Sequence, residues 1–166
     1  SKFRDDLYSK EIKTLRTDSP VFDRSLQAVL LSQYRLKVFQ DNRLNIKPVI
    51  MLKSHRIKDN ANNMAAFISG ISALTGTKIK EVFDTISGQA PIMQEAYEYF
   101  VKNGISFDQL AQEIKKDFSA IHCISANEDK EIEKNQLILN SLEDIDNPYR
   151  AVFAVDKLNE GWDVLN

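Results

Sequence analysis

Residues 150–166 read R-A-V-F-A-V-D-K-L-N-E-G-W-D-V-L-N, an apolar run followed by a polar segment that contains a glycine. Its apolar run, residues 151–155, has the length and β-branched content of a buried strand, and it ends abruptly at Asp156. In open α/β sheets, ligands bind in the crevice beyond the carboxyl ends of the strands. The segment after this strand is therefore a candidate functional site. Gly161 within it indicates either a left-handed backbone or a close approach of the main chain to another group.

Two further apolar runs predict strands upstream. Residues 49–52 follow Lys47-Pro48, and a proline is tolerated at the start of a strand. Residues 120–124 form the second run. Helical patterns separate the three runs, so the chain alternates in the way that produces a parallel sheet. The sequence predicts an α/β fold with a parallel sheet flanked by helices.

Helical periodicity dominates the first two thirds of the chain. It predicts a long helix at about residues 22–41 and several more from 59 to 118, the first of them capped by Asp59 or Asn60 and ended by Gly76. A crossover between parallel strands needs only a dozen or so residues. The roughly sixty residues present here predict an inserted helical subdomain at about residues 59–118.

Composition limits the class of protein. A chain of 166 residues with 43% hydrophobic residues fits one domain, residues 1–166. The formal net charge of −2 argues against a free-standing DNA-binding module, which is usually strongly basic. The single cysteine, Cys123, excludes an internal disulfide and is expected to be an inert core thiol. His122 beside it has no second ligand pair, so we expect no metal site. No membrane span or signal peptide is apparent, and we expect a cytoplasmic location.

A short polar segment follows the first predicted strand. Ser54, His55 and Arg56 carry donors suited to phosphate oxygens, and arginine can bind them bidentately. The alternative interpretation is an ordinary solvated loop. The residues alone leave both open.

The spacing D-x-L-x-E-G-W-D in residues 156–163 resembles the fifth helicase motif of the restriction (Res) subunits of type III restriction-modification enzymes. The resemblance continues upstream through L-N-S-L-E at 139–143 and N-P-Y-R at 147–150. It also covers residues 47–57, which resemble the fourth-motif region. The chain thus resembles most of one lobe of such an enzyme.

This resemblance implies a motor of helicase superfamily two. Such proteins hold ATP and duplex DNA between two RecA-like lobes, carry a nuclease domain in the same chain, and work with a methyltransferase (modification) subunit. This chain is expected to be a partial second RecA-like lobe. ATP and Mg²⁺ are implied for the full enzyme, and none is expected on the fragment. No G-x-x-x-x-G-K-[ST] loop occurs in the sequence, so the isolated fragment is expected to be inactive.

Site residues follow from the motif position by position. Gly161 and Asp163 match positions that face the nucleotide, and the aspartate can accept a hydrogen bond from a ribose hydroxyl. Asp156 and Lys157 are expected at the nucleic acid together with the 54–56 segment.

Two positions of this segment depart from the superfamily pattern, and a third, Trp162, has two possible roles. Val155 replaces a threonine of the general superfamily pattern, so a phosphate contact here must come from main-chain N–H groups or Lys157. Glu160 replaces a basic residue and has no assigned role. Trp162 either stacks on a ligand or, as we favour, packs the motif against its own lobe.

Two alternatives remain open at this point. The chain is either the second lobe of a different superfamily-two DNA or RNA helicase, or a non-catalytic α/β binding domain whose resemblance is limited to the terminal motif.

Overall fold

Five α-helices and three strands make up the part of the chain that the computed structural model describes, residues 20–86, 90–126 and 144–155. The helices are α1 (Pro20–Asp41), α2 (Ile57–Ser72), α3 (Gly76–Ile86), α4 (Pro91–Lys102) and α5 (Phe107–Asp117). The strands are β1 (Ile50–Ser54), β2 (Cys123–Ala126) and β3 (Ala151–Val155).

The three strands form a parallel sheet in the order β1-β3-β2. Of the described strands, the last in sequence is therefore the middle one in space. Ala151 lies opposite Ile50 on one side and opposite Cys123 on the other. The predicted α/β fold with a parallel sheet flanked by helices is confirmed, and it is consistent with part of a RecA-like lobe. The predicted inserted subdomain at 59–118 and the single-domain boundary stay predictions.

β3 is buried along its whole length because it has a strand on each side and α2 packs against it. Its continuous apolar sequence is what a parallel strand covered on both faces requires. Phe153, at its centre, meets the ring of Phe67 from α2 edge-to-face, with ring centroids 5.3 Å apart. The boundaries of β3 match the run of residues 151–155 predicted from the sequence.

Helix α1 packs on β1 and on helices α2, α3 and α4. Its Phe22 is buried against Gly70 of α2, where a Cβ atom would overlap the Phe22 ring. The glycine thus allows the two helices to approach closely. The predicted helix at about residues 22–41 is confirmed with a start two residues earlier.

The turn between α4 and α5 follows from its sequence. Gly104 has a φ of 67°, which a glycine adopts without strain, and the N–H of Ile105 donates to the carbonyl of Phe100 at 2.9 Å. The N–H of Gln109 then donates to Oγ of Ser106 at 3.1 Å and caps the start of α5. Two local signals therefore fix where one helix ends and the next begins.

The second strand begins later than the sequence predicted. The run at 120–124 was expected to be a strand, but Ala120–His122 form a 3-10 turn and β2 starts at Cys123. The N–H of Arg150 donates to the carbonyl of His122 at 2.8 Å, so the ladder begins after this turn. Ile121 is 74% exposed, and His122 is half-buried with Nδ1 2.6 Å from the carbonyl oxygen of Pro148. The histidine has a partner, as expected, but it does not lie in the core.

Two helix boundaries also differ from expectation. α2 begins at Ile57 with Arg56 as its N-cap residue, so Asp59 and Asn60 lie inside the first turn instead of capping it. Gly76 begins α3 and does not end α2. A Cβ atom at Gly76 would overlap Asp108 and the main chain of Phe107. This glycine therefore serves the packing of α3 against the start of α5.

Arg150 connects four parts of the fold just before β3. Its side chain is buried, and its pKa is lowered to about 10 by burial, an effect partly offset by Asp117. The guanidinium donates to the carbonyl of Pro48 at 3.0 Å, and its Nη2 donates to Ser32 Oγ at 2.9 Å and Gln33 Oε1 at 2.7 Å. It also lies 4.6 Å from the ring centroid of Phe118. Arg150 thereby fixes the start of the middle strand against α1 and the end of α5.

Candidate nucleic-acid interface

The strands that precede the two predicted site segments end at the same carboxyl edge of the sheet. Ser54 is the last residue of β1 and lies opposite Val155, the last residue of β3. Paired strands run about 4.8 Å apart, so β1 and β3 end side by side at this edge. The predicted residues Asp156, Lys157, Glu160, Gly161, Trp162 and Asp163 lie outside the described residues.

Ser54 is buried, and its hydroxyl donates to the carbonyl of Arg56 at 3.3 Å. This bond closes the bend between β1 and α2. In this conformation Ser54 shapes the loop and does not present its hydroxyl at the surface. His55 is exposed on the bend.

Arg56 combines exposure with a position at a helix start. Its backbone is extended, with φ −128° and ψ 148°, and it is the N-cap residue of α2 without a side-chain hydrogen bond to the main chain of the helix. The side chain is 65% exposed, and its Nε donates to Oδ2 of Asp59 at 2.9 Å. The guanidinium therefore has one nitrogen bound to Asp59, and its side chain extends into solvent.

The start of α2 has the electrostatics of an anion site. Main-chain N–H groups in the first turn of a helix carry partial positive charge and attract anionic oxygens. Arg56 and the exposed Lys58 add two full charges beside them. Asp59 offsets part of this charge from within the same turn. An oxygen of a nucleic-acid backbone phosphate fits this surface better than a neutral ligand.

Asn60, which the sequence predicts only as a helix cap, is a further functional candidate. It is 1% exposed, and its Nδ2 donates to the carbonyl of Phe153 at 3.1 Å and to Oγ of Ser125 at 3.2 Å. Its Oδ1 is buried without a hydrogen-bond partner among the described residues. Asn60 thus ties the first turn of α2 to both β3 and β2. No local pattern in the sequence indicated this contact, because Asn60 is polar and hydrophobic periodicity marks apolar faces.

Two general properties bound the chemistry of the described residues. Within residues 20–86, 90–126 and 144–155, no group of three or more His, Cys, Asp or Glu side chains is placed to hold a metal ion. None of the helices in these ranges has the length and hydropathy needed to cross a membrane.

Burial raises the pKa of the Cys123 thiol to about 12, which agrees with the expected inert core cysteine.

Comparison with known proteins gives one significant relative. The chain is 28% identical over 177 aligned residues to a Haemophilus influenzae protein described as "Probable type III restriction-modification enzyme HindVIP Res subunit". The alignment covers 96% of this chain and 34% of that protein, so the chain spans about one third of the length of its relative. No family model matches the chain, and no solved structure matches it significantly. The resemblance to the Res subunits of type III restriction-modification enzymes is thereby confirmed, and it extends over nearly the whole chain and not only over the terminal motif.

Proposed function

We propose that this chain is the second motor lobe of an ATP-dependent type III restriction endonuclease. The similarity to a Res subunit over 96% of the chain carries the proposal, and the parallel α/β sheet agrees with it. In this role the lobe closes on a first RecA-like lobe when ATP binds and couples the nucleotide state to the grip on duplex DNA. The nuclease domain and the methyltransferase partner belong to the complete enzyme.

The proposed DNA contact is the first turn of α2. Arg56 supplies an exposed guanidinium, the main-chain N–H groups of the turn supply further donors, and Asn60 braces the turn against the middle strand. Because Asn60 is bonded to the carbonyl of Phe153, a displacement of β3 would move the turn with it. We propose that this connection transmits movement of the sheet to the DNA contact.

The proposed nucleotide contact follows β3. Gly161 and Asp163 would face ATP and Mg²⁺ held mainly by the phosphate-binding loop of a first lobe, and the aspartate would accept a ribose hydroxyl. Asp156 and Lys157 would lie between this contact and the DNA, since they follow directly on Val155, which pairs with Ser54. Within the complete enzyme, β3 would then connect the two sites.

Substitution of Asp163 tests the motor assignment. In the full-length protein we expect Asp163→Ala to lower the kcat of DNA-stimulated ATP hydrolysis about a hundredfold, because a misplaced nucleotide loses the aligned geometry that phosphoryl transfer needs. The matched control is Asp84→Ala, which removes an exposed carboxylate of α3 whose partner is Lys80. Equal rates for both variants would show that the segment after β3 is no part of a nucleotide site, as expected of a non-catalytic binding domain.

Substitution of Arg56 tests the DNA contact. We expect Arg56→Ala to weaken binding of the full-length protein to duplex DNA and to reduce the slope of log K against log salt by about 1, because one phosphate contact fewer releases fewer counterions. Fluorescence anisotropy at several salt concentrations measures both quantities.

Lys80→Ala is the control for Arg56, since it removes an exposed cation of α3 whose side chain pairs with Asp84 at 2.8 Å. This variant should keep the salt slope of the unchanged protein. If the salt slope of Arg56→Ala equals that of the control, Arg56 does not contact a DNA phosphate.

A further inference from the structure

A cavity of about 310 Å³ lies at the amino-terminal edge of the sheet. Lys47 and Arg150, which precede β1 and β3, both line it, together with residues of α1, the end of α5 and the 144–150 segment. The first turn of α2 lies at the opposite edge, one strand length away. This cavity is therefore separate from the proposed DNA contact.

Lys47 brings a buried positive charge to the cavity. The residue is 5% exposed, and its Nζ donates to the main-chain oxygen of Asn147 and, at 3.0 Å, to Oδ1 of the same residue. Both acceptors are neutral, and no carboxylate among the described residues lies within ion-pairing distance of Nζ. An ammonium carries three N–H donors, so one remains for a further acceptor.

The neighbouring charges do not compensate Lys47. Burial, and then Arg150, lower its pKa to about 8, and Asp144 offsets only part of this effect. Asp117 also lines the cavity, but it accepts from Gln33 at 3.0 Å and lies 3.5 Å from Arg150. A buried charge without an anionic partner is costly, and an anion bound beside it would remove that cost.

The other two basic side chains of the cavity, Arg150 and His122, already have hydrogen-bond partners. The guanidinium of Arg150 donates to two side chains of α1, to the carbonyl of Pro48 and to the carboxylate of Asp117. His122 must donate from Nδ1 to the carbonyl of Pro148, because a carbonyl oxygen only accepts. Among the described residues, Lys47 is thus the lysine or arginine of the cavity that has no carboxylate partner.

Apolar surface adjoins this cation. Leu36 and Ile145 line the cavity, and Ile145 is 45% exposed. Ile46, also exposed, pairs with Asp144 and so lies beside Ile145. A concave site with apolar walls and one convergent charge is the usual form of a small-molecule site, and this volume lies at the lower end of the range for such sites.

We propose that this cavity binds a small organic anion, with its carboxylate or phosphate group on Lys47 Nζ and its apolar body against Leu36 and Ile145. The proposal does not depend on the motor function of the lobe. It assigns a ligand site to the edge of the sheet that faces away from the proposed DNA and nucleotide contacts.

Calorimetric titration of the 166-residue chain with three ring compounds tests the proposal. Benzoate and phenyl phosphate carry the two anionic groups, and benzyl alcohol is the uncharged control. We expect at least one anion to bind with a dissociation constant of about 0.1 to 1 mM and benzyl alcohol to bind at least about tenfold more weakly. Binding of benzoate alone or of phenyl phosphate alone identifies the class of anion. Binding of neither, or equal binding of benzyl alcohol, overturns the proposal.

The pH dependence and two variants locate the anion. Affinity should fall as the pH rises from one unit below to one unit above the Lys47 pKa of about 8, because the ammonium loses its charge.

Lys47→Met should reduce the affinity at least about tenfold. Leu36→Trp should also block binding by filling the cavity while leaving Lys47 in place, and Val38→Trp on the same helix should not. Unchanged affinity in Leu36→Trp would place the anion elsewhere and refute the site even if Lys47→Met failed to fold.

Discussion

Replacing Phe153 with alanine is expected to lower the free energy of unfolding by about 3 to 5 kcal/mol, the largest effect of any single truncation in the sheet. Phe153 is fully buried at the centre of the middle strand and meets Phe67 of α2 edge-to-face. Its removal would leave a cavity between the sheet and α2 that the two flanking strands prevent from closing. Urea unfolding of the 166-residue chain, followed by circular dichroism, measures the change.

Two further variants calibrate this result. Phe153→Leu keeps most of the buried volume and should cost clearly less than Phe153→Ala. Val101→Ala, at a residue of α4 that is 57% exposed, should change the free energy of unfolding by no more than about 0.5 kcal/mol. A loss for Phe153→Ala as small as that for Val101→Ala would contradict the central position of β3.

Replacing Arg150 with methionine is expected to cost about 3 kcal/mol, although methionine is more hydrophobic and similar in length. The substitution leaves behind the acceptors that the guanidinium now satisfies, namely Pro48 O, Ser32 Oγ, Gln33 Oε1 and the Asp117 carboxylate. Unpaired buried acceptors lose their hydration without gaining a partner, and this outweighs the easier burial of methionine. The same urea unfolding experiment measures the loss.

Arg35→Met is the matched control because Arg35 is an exposed arginine of α1. It should leave stability almost unchanged. Combining Arg150→Met with Asp117→Asn should recover part of the loss, since the second change removes a carboxylate that no longer has its cation. Equal stability of Arg150→Met and Arg35→Met would show that the Arg150 contacts contribute nothing to the fold.

The sequence predicted β3 correctly because the apolar residues that define the strand are consecutive and span its whole length. Five apolar residues stand between Arg150 and Asp156, and a strand buried on both faces needs no alternation. The same argument failed at residues 120–124, which look equally apolar. There the start of the ladder depends on the bond from Arg150 N–H to the carbonyl of His122, a contact between residues far apart in sequence.

The candidate site was only partly predictable for the same reason. The resemblance and the charges pointed to Ser54, His55 and Arg56, and the register of β1 against β3 places Ser54 beside Val155, the end of β3. Local patterns did not indicate that the Ser54 hydroxyl would donate to the carbonyl of Arg56. Nor did they indicate that Asn60 would be buried against the sheet. Those roles arise from tertiary packing, which hydrophobic periodicity describes poorly for polar residues.

The strand order β1-β3-β2 has a consequence for how this protein acquires its structure on the ribosome. The two outer strands never pair with each other in this sheet, and the pairing of Ile50 with Ala151 closes a loop of about a hundred residues. The helices between β1 and β2 can form early through contacts close in sequence, whereas the sheet must wait until its central strand is synthesised. Until β3 is made, β1 and β2 both expose unpaired main-chain groups on the side that β3 will occupy, so the synthesis of β3 joins the three described strands and lowers the risk of premature association through those groups.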